Sequence, residues 1–225
     1  MATFQRARSE EQREARRQSI LENAATMLSE MPVSAVSLNE LSRRVGLAKS
    51  NVLRYFESRE AVLLELLDQL THDFLVDVVD QLPGCIDQAG SAATRARAVA
   101  SGLATAFASH EMLCELLSAQ AGILEHNVSA EVATRYKQRA HHGLVGLATL
   151  LRQVLPELSG PQSDEAASMT IVLVGAIWTH SHPAPPMRAV YAADPSLAFL
   201  RPTFAAALDR SLQVFLIGLL SDPGQ

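Results

Sequence analysis

An all-α fold, with a small helix-turn-helix unit in front of a larger helical body, is predicted by three observations. Apolar residues recur with a period close to 3.6 along almost all of the 225 residues. No period-2 run is long enough for a convincing strand, and neither an internal repeat nor a low-complexity tract interrupts the pattern. Between residues 37 and 56, two short helical patterns flank a glycine.

The elements follow in order. Arg17, Ile20, Leu21, Ala24, Leu28 and Met31 share one face of a first helix that Pro32 ends. Ser37 opens a second helix, and Glu40 three positions on completes a capping-box pattern. Leu38, Leu41 and Val45 form its apolar stripe, and Gly46 is the expected C-terminal stop. A third helix is predicted from Ala48 to Phe56. Ser58 caps a fourth, which carries Val62, Leu63, Leu66, Leu67 and Leu70 and ends before Pro83-Gly84. Further helices are expected over Thr94–Ser109, His110 to Glu125, Val128–Val154, Asp164–Thr179 and Thr203–Leu220. Pro156 to Ser163 reads as a turn. His180 to Pro202 holds five of the ten prolines and reads as a long loop with a short helical turn.

Composition narrows the function. The chain is 48% hydrophobic and 19% charged, the balance of an ordinary globular protein and not of a disordered one. Polar residues or glycine break the apolar runs before the roughly 18 residues a membrane span needs. The opening residues lack a secretory pattern. Cys85 and Cys114 make a poor disulfide framework, so a reducing cytoplasm is expected. The formal net charge of -5 argues against a nucleic-acid partner only until its distribution is considered. Residues 1–60 hold ten Lys/Arg against eight Asp/Glu, and the rest holds nine against sixteen. A mildly basic head therefore precedes an acidic body.

The helix-turn-helix carries the functional signal. Ala48, Val52 and Phe56 are spaced to face inward on the third helix, leaving Lys49, Ser50, Leu53 and Arg54 outward with Asn51 and Tyr55 at the flanks. Lys and Arg reach guanine edges or phosphates, Asn reads adenine, and Leu packs on a thymine methyl. Arg6, Arg8, Arg13, Arg16 and Arg17 form an arginine-rich arm ahead of it, interleaved with Glu10, Glu11 and Glu14. Such an arm enters a neighbouring minor groove or tracks phosphates and adds to salt-dependent affinity, or else stays a solvated tail.

Residues Ile20 to Leu67 resemble the N-terminal domain of TetR/AcrR-type transcriptional regulators. The resemblance rests on Ile20–Ala25, on Val36–Leu47 and on Lys49–Leu63, in particular the strings VGLAKSNV and YFESREAVL. It implies an all-helical homodimer that binds a palindromic operator with a head at 1–60. A body at 61–225 would bind a small effector and dimerise. Ser37 then caps helix two and touches phosphate, and Asn39 reaches a base edge. Lys49 and Asn51 open the recognition helix, Tyr55 faces phosphate, and Arg59 grips phosphate. Leu53 departs from the pattern, because the family commonly has Tyr there and Leu cannot donate to phosphate.

In the body, Phe107, Tyr136 and Trp178 are the candidate effector contacts. They belong to a larger apolar set with Phe74, Leu103, Met112, Leu116, Ile123, Met169, Leu173 and Phe199 that equally reads as plain core. Val172, Gly175, Ala176 and Thr179 form a small-residue stripe, and Ala205, Leu208, Leu212, Phe215 and Leu219 an apolar one. The resemblance implies that both meet a second copy in a four-helix bundle. His110 and Cys114 have helical metal-ligand spacing without further ligands, so neither metal nor cofactor is expected. No nucleophile elbow, phosphate-cradling loop or HExxH occurs, and an enzyme is not expected. The leading reading is a repressor that an effector releases from its operator. The alternative is a DNA-bound scaffold of the same fold controlled by a protein partner.

Overall fold

The computed structural model describes residues 2–222, with side chains from Glu10 onward. The described residues contain ten α-helices and no strand. They are α1 Ala2–Glu30, α2 Leu38–Val45, α3 Lys49–Val52, α4 Arg59–Gln81, α5 Ala92–Ser109, α6 Glu111–Ala119, α7 Ala130–Val154, α8 Gly160–Ser181, α9 Pro185–Ala193 and α10 Phe204–Ser221. The chain forms two compact units. One contains the residues up to Gln69 together with Ala119–Lys137, and the other contains Leu70–Ser118 and the residues from Gln138 onward. The 60/61 boundary expected from sequence thus falls inside α4, and the first unit takes in a later stretch of chain.

In the first unit, Ile20, Leu21, Ala24 and Met27 are the buried stripe of α1, while Leu28 and Met31 are only half-buried. Ser37 caps α2 by accepting the Glu40 N–H at 3.2 Å. The reciprocal half of the capping box does not form, because the Glu40 carboxylate turns instead to Arg43 and Arg44. Gly46 ends α2 with φ at 70°, a left-handed conformation that an L side chain resists. Of the expected stripe, Leu41 is buried, and Leu38 and Val45 are half-buried.

The second unit is built around α10, whose stripe of Phe204, Leu208, Leu212, Leu216 and Leu219 packs against α5 and α8. Contrary to expectation, α10 is long and apolar enough to cross a membrane, with mean hydropathy 1.4. It is the one such helix among the described residues, and its apolar stripe is buried in this unit. Helix α8 starts four residues earlier than predicted. Ser159 and Gln162 form a full capping box, and Pro161 occupies the first turn, where a missing N–H costs nothing. The Gln162 amide also donates to the Leu219 carbonyl at 2.8 Å, tying the start of α8 to the end of α10.

The proline-rich segment is more ordered than a loop. Pro185 and Pro186 sit in the first turn of α9, and a 3-10 turn, Pro195–Ala198, follows with Asp194 as its cap. The helix expected to run on to Glu125 stops at Ala119, and Gln120–Leu124 is a wider π turn.

Candidate nucleic-acid interface

Helix α3 is a single turn held by two anchors. Val52 is fully buried and Phe56 is 4% exposed. The chain then tightens, with Arg54 and Tyr55 amides donating to carbonyls three residues back, so the helix is shorter than predicted. Ala48, expected inside, is the exposed N-cap of this short helix.

The outward face matches the sequence pattern. Lys49, Ser50, Asn51 and Arg54 are exposed, Leu53 is 41% exposed, and Tyr55 is half-buried. Ser37 and Asn39 are exposed at the start of α2. The recognition turn therefore presents two cations, two short polar side chains and one aliphatic group, the chemistry that reads base edges and phosphates.

Not every arginine near it is available. Arg43 and Arg44 both pair with Glu40, and Arg44 also pairs with Glu30. Hydrogen bonds from Arg43 and then Arg44 pull the Glu40 carboxyl down from 4.5 to about 2. Arg59, assigned by resemblance to phosphate, is turned inward. Its Nη1 donates to the Val36 carbonyl at 2.9 Å, and its Nη2 lies 3.0 Å from Glu60. It ties the start of α4 to the approach to α2.

Arg17 is likewise internal and not part of a DNA-seeking arm. It donates to both carboxylate oxygens of Glu65, and to the Tyr55 carbonyl at 2.8 Å. Its guanidinium also lies 4.5 Å from the Phe56 ring centre. Sequence reasoning missed this role because Glu65 lies 48 positions away. The arm itself is continuous with α1, which begins at Ala2. The side chains of Arg6 and Arg8 lie outside the described residues.

The three candidate effector contacts divide between the two units. Tyr136 belongs to the first unit, where burial pushes its phenol above its ordinary value. Phe107 and Trp178 belong to the second. Phe107 is fully buried and stacks on Phe74 at 4.2 Å. Trp178 is 6% exposed, donates to Glu115 at 2.9 Å and stacks on His182 at 3.8 Å. Phe199, grouped with them by sequence, is 80% exposed. A groove of about 620 Å³ in this unit is lined instead by Asp77, Gln81, Cys85, Ser101, Thr105 and His110, among others. His110 and Cys114 go to separate partners. The His110 ring contacts the Ala106 carbonyl at 2.8 Å, and the Cys114 thiol donates to the Phe107 carbonyl.

The expected dimer stripes divide in the same way. Leu208 and Leu212 are fully buried in the chain's own core, because α10 turns them toward it. Gly175 lies close to the α6 backbone, where a Cβ would meet the Leu117 carbonyl oxygen at 3.3 Å. Phe215 is half-buried and Ala176 exposed, while Val172 and Val214 are 61% and 55% exposed.

A capped helix, a left-handed glycine turn and an exposed recognition turn define a helix-turn-helix DNA-binding protein. Residues 20–66 match the family described as "Bacterial regulatory proteins, tetR family". Residues 72–223 match the "Tetracyclin repressor-like, C-terminal domain". The chain belongs to the TetR family of transcriptional regulators. It is 31% identical to the HTH-type transcriptional regulator EthR of Mycobacterium tuberculosis over 71 residues. That stretch is 31% of this chain and spans about a third of the relative's length, 33%.

Solved structures share the fold at low identity. A TetR transcriptional regulator from Rhodococcus sp. RHA1 aligns with a TM-score of 0.58 and 14% identity, covering 95% of this chain and 100% of that one. The regulator FadR from Bacillus subtilis, solved with stearoyl-CoA, aligns with a TM-score of 0.53 and 14% identity over 89% of this chain and 97% of its own.

Proposed function

We propose that the protein is a cytoplasmic repressor that binds a palindromic operator as a homodimer and is released by a small-molecule effector. The observation that carries the reading is the exposed recognition turn, with Lys49, Asn51 and Arg54 free to approach a major groove. Ser37, Asn39, Ser50, Leu53 and Tyr55 complete the contact surface. A two-fold dimer places two such turns on one side of the duplex, about one helical turn apart, and so selects a palindrome. The dimer face we assign is the outward side of α8 and α10, with Val172, Ala176, Val214 and Phe215. An effector acts by preferring the form of the dimer that does not fit the operator.

The test is binding of the purified protein to the intergenic duplex beside its own gene, against scrambled DNA of equal length. Lys49→Ala and Arg54→Ala are expected to abolish the preference. Equal binding to both duplexes by the wild type would defeat the operator reading.

A further inference from the structure

The basic residues of the first unit fall into two groups. Arg17, Arg43, Arg44, Arg59, Arg135 and Lys137 pair with carboxylates of this unit. Among the described residues, the side chains of Arg13, Arg16, Lys49 and Arg54 make no ion pair and no hydrogen bond. Lys49 belongs to the reading face. The other three converge elsewhere.

Arg13 and Arg16 are one turn apart on the exposed side of α1, and Arg54 follows α3. Together they line a cleft of about 950 Å³. The rest of its wall includes Gln12, Ser19 and Tyr55, and it contains no aspartate or glutamate. Three guanidinium groups therefore share a concave space with hydrogen-bonding neighbours and no counter-charge. Their spacing is fixed from beneath. Arg17 donates to the Tyr55 carbonyl at 2.8 Å, which fastens the residue beside Arg54 to the same helix that carries Arg13 and Arg16.

A planar guanidinium is a good two-pronged partner for phosphate, and clustered free guanidiniums favour a polyanion over a single small anion. We propose that Arg13, Arg16 and Arg54 form a clamp for the phosphate backbone of duplex DNA, separate from the base-reading surface and holding the strand beside it. The inference rests on the DNA-binding reading, yet it assigns α1 a contact that the helix-turn-helix alone does not provide. Arg54, at the junction, serves both surfaces. Phosphate contacts position the protein without reading sequence.

The experiment measures affinity against salt concentration for two duplexes, one selected by the protein from a random pool and one scrambled. The proteins are the wild type, Lys49→Ala, Arg13→Ala/Arg16→Ala and Arg13→Lys/Arg16→Lys. The double alanine variant is expected to weaken both duplexes by the same factor. Its log–log salt slope should become shallower by about 0.9 for each phosphate contact removed. The lysine pair should keep most of the slope, and Lys49→Ala should lower the ratio between the duplexes.

An unchanged slope in the double alanine variant overturns the clamp. So does binding to phosphatidylglycerol vesicles that needs Arg13 and Arg16 while the DNA slope ignores them. If the wild type does not prefer the selected duplex, the operator reading fails. The slope on scrambled DNA then still decides the clamp.

Discussion

Nη2 of Arg17 on α1 reaches both carboxylate oxygens of Glu65 on α4, with side chains 21% and 23% exposed. The same guanidinium holds the Tyr55 carbonyl. One residue thus joins the end of the recognition turn to two long helices. Arg17→Ala leaves a half-buried carboxylate without its partner, and hydrogen bonds to charged groups contribute about 1.5–3 kcal/mol each. We expect a loss of about 2–3 kcal/mol in urea unfolding, together with weaker DNA binding. Arg17→Lys should recover only part of both, since one ammonium does not offer the two separate nitrogens that reach Glu65 and the Tyr55 carbonyl. An unchanged midpoint would remove the positioning role.

Gly46 is the one residue with positive φ among the described positions, and a Cβ there would meet nothing within 4 Å. The cost of Gly46→Ala is therefore backbone strain alone, about 1–2 kcal/mol. Gly46→Asn should cost less, because Asn tolerates the left-handed region. Thermal unfolding of the three proteins checks the order.

Glu40 is held by Arg43 and Arg44, which lower its carboxyl from 4.5 to about 2. A depressed carboxylate stabilises the fold fully above its unfolded value and loses that contribution as pH falls to the folded one. Compared with Glu40→Gln, the wild type should keep a constant advantage from neutral pH to about 5 and lose it between 4.5 and about 2. Paired urea titrations across that range would show it. A gap that persists at pH 2 would rule out the carboxylate as its source.

The cysteines should differ in reactivity. Cys85 is exposed. Cys114 is buried, and burial, followed by the charge of Glu111, pushes its thiol up to about 12. Native protein should react with one equivalent of a thiol reagent at mild alkaline pH, and denatured protein with two. Two fast equivalents in the native state would contradict the burial of Cys114.

Dimerisation and folding should separate on the same two helices. Val172→Asp with Val214→Asp alters only exposed positions, so it should yield folded monomers in sedimentation. Leu208→Ala empties a fully buried site and should cost about 2–5 kcal/mol of stability. Unchanged dimers in the aspartate pair would move the interface away from this face.

Local chemistry was the legible part of the chain. Ser37 and Gly46 announce α2 because a cap and a left-handed stop are written in single residues. The box at Ser159 and Gln162 is written just as plainly, but Gly160 and Pro161 disguise it as a turn. Ala48 was misplaced because a period of 3.6 assumes a helix longer than the single turn that forms. Partnership was not legible. The apolar face that Arg17 shares with Ile20 and Leu21 turns it inward where Arg16 points out, but it does not name Glu65, 48 positions on, as the partner. Leu208 and Leu212 were correctly apolar, but a stripe does not say whether its own chain or a second copy covers it.

The return of residues 119–137 to the first unit changes how the protein comes into being. The Glu57 carboxylate, beside the recognition turn, accepts the Ser129 N–H, and Leu124 and Tyr136 are buried in that returning stretch. On the ribosome, the contact between Glu57 and Ser129 therefore forms only once residue 129 has emerged, after α5 and α6 have been synthesised. A chimera cut between the two family matches, after residue 66 and before residue 72, would transplant the head without that stretch. Operator specificity is better exchanged by regrafting the surface of α2 and α3 than by swapping the N-terminal segment whole.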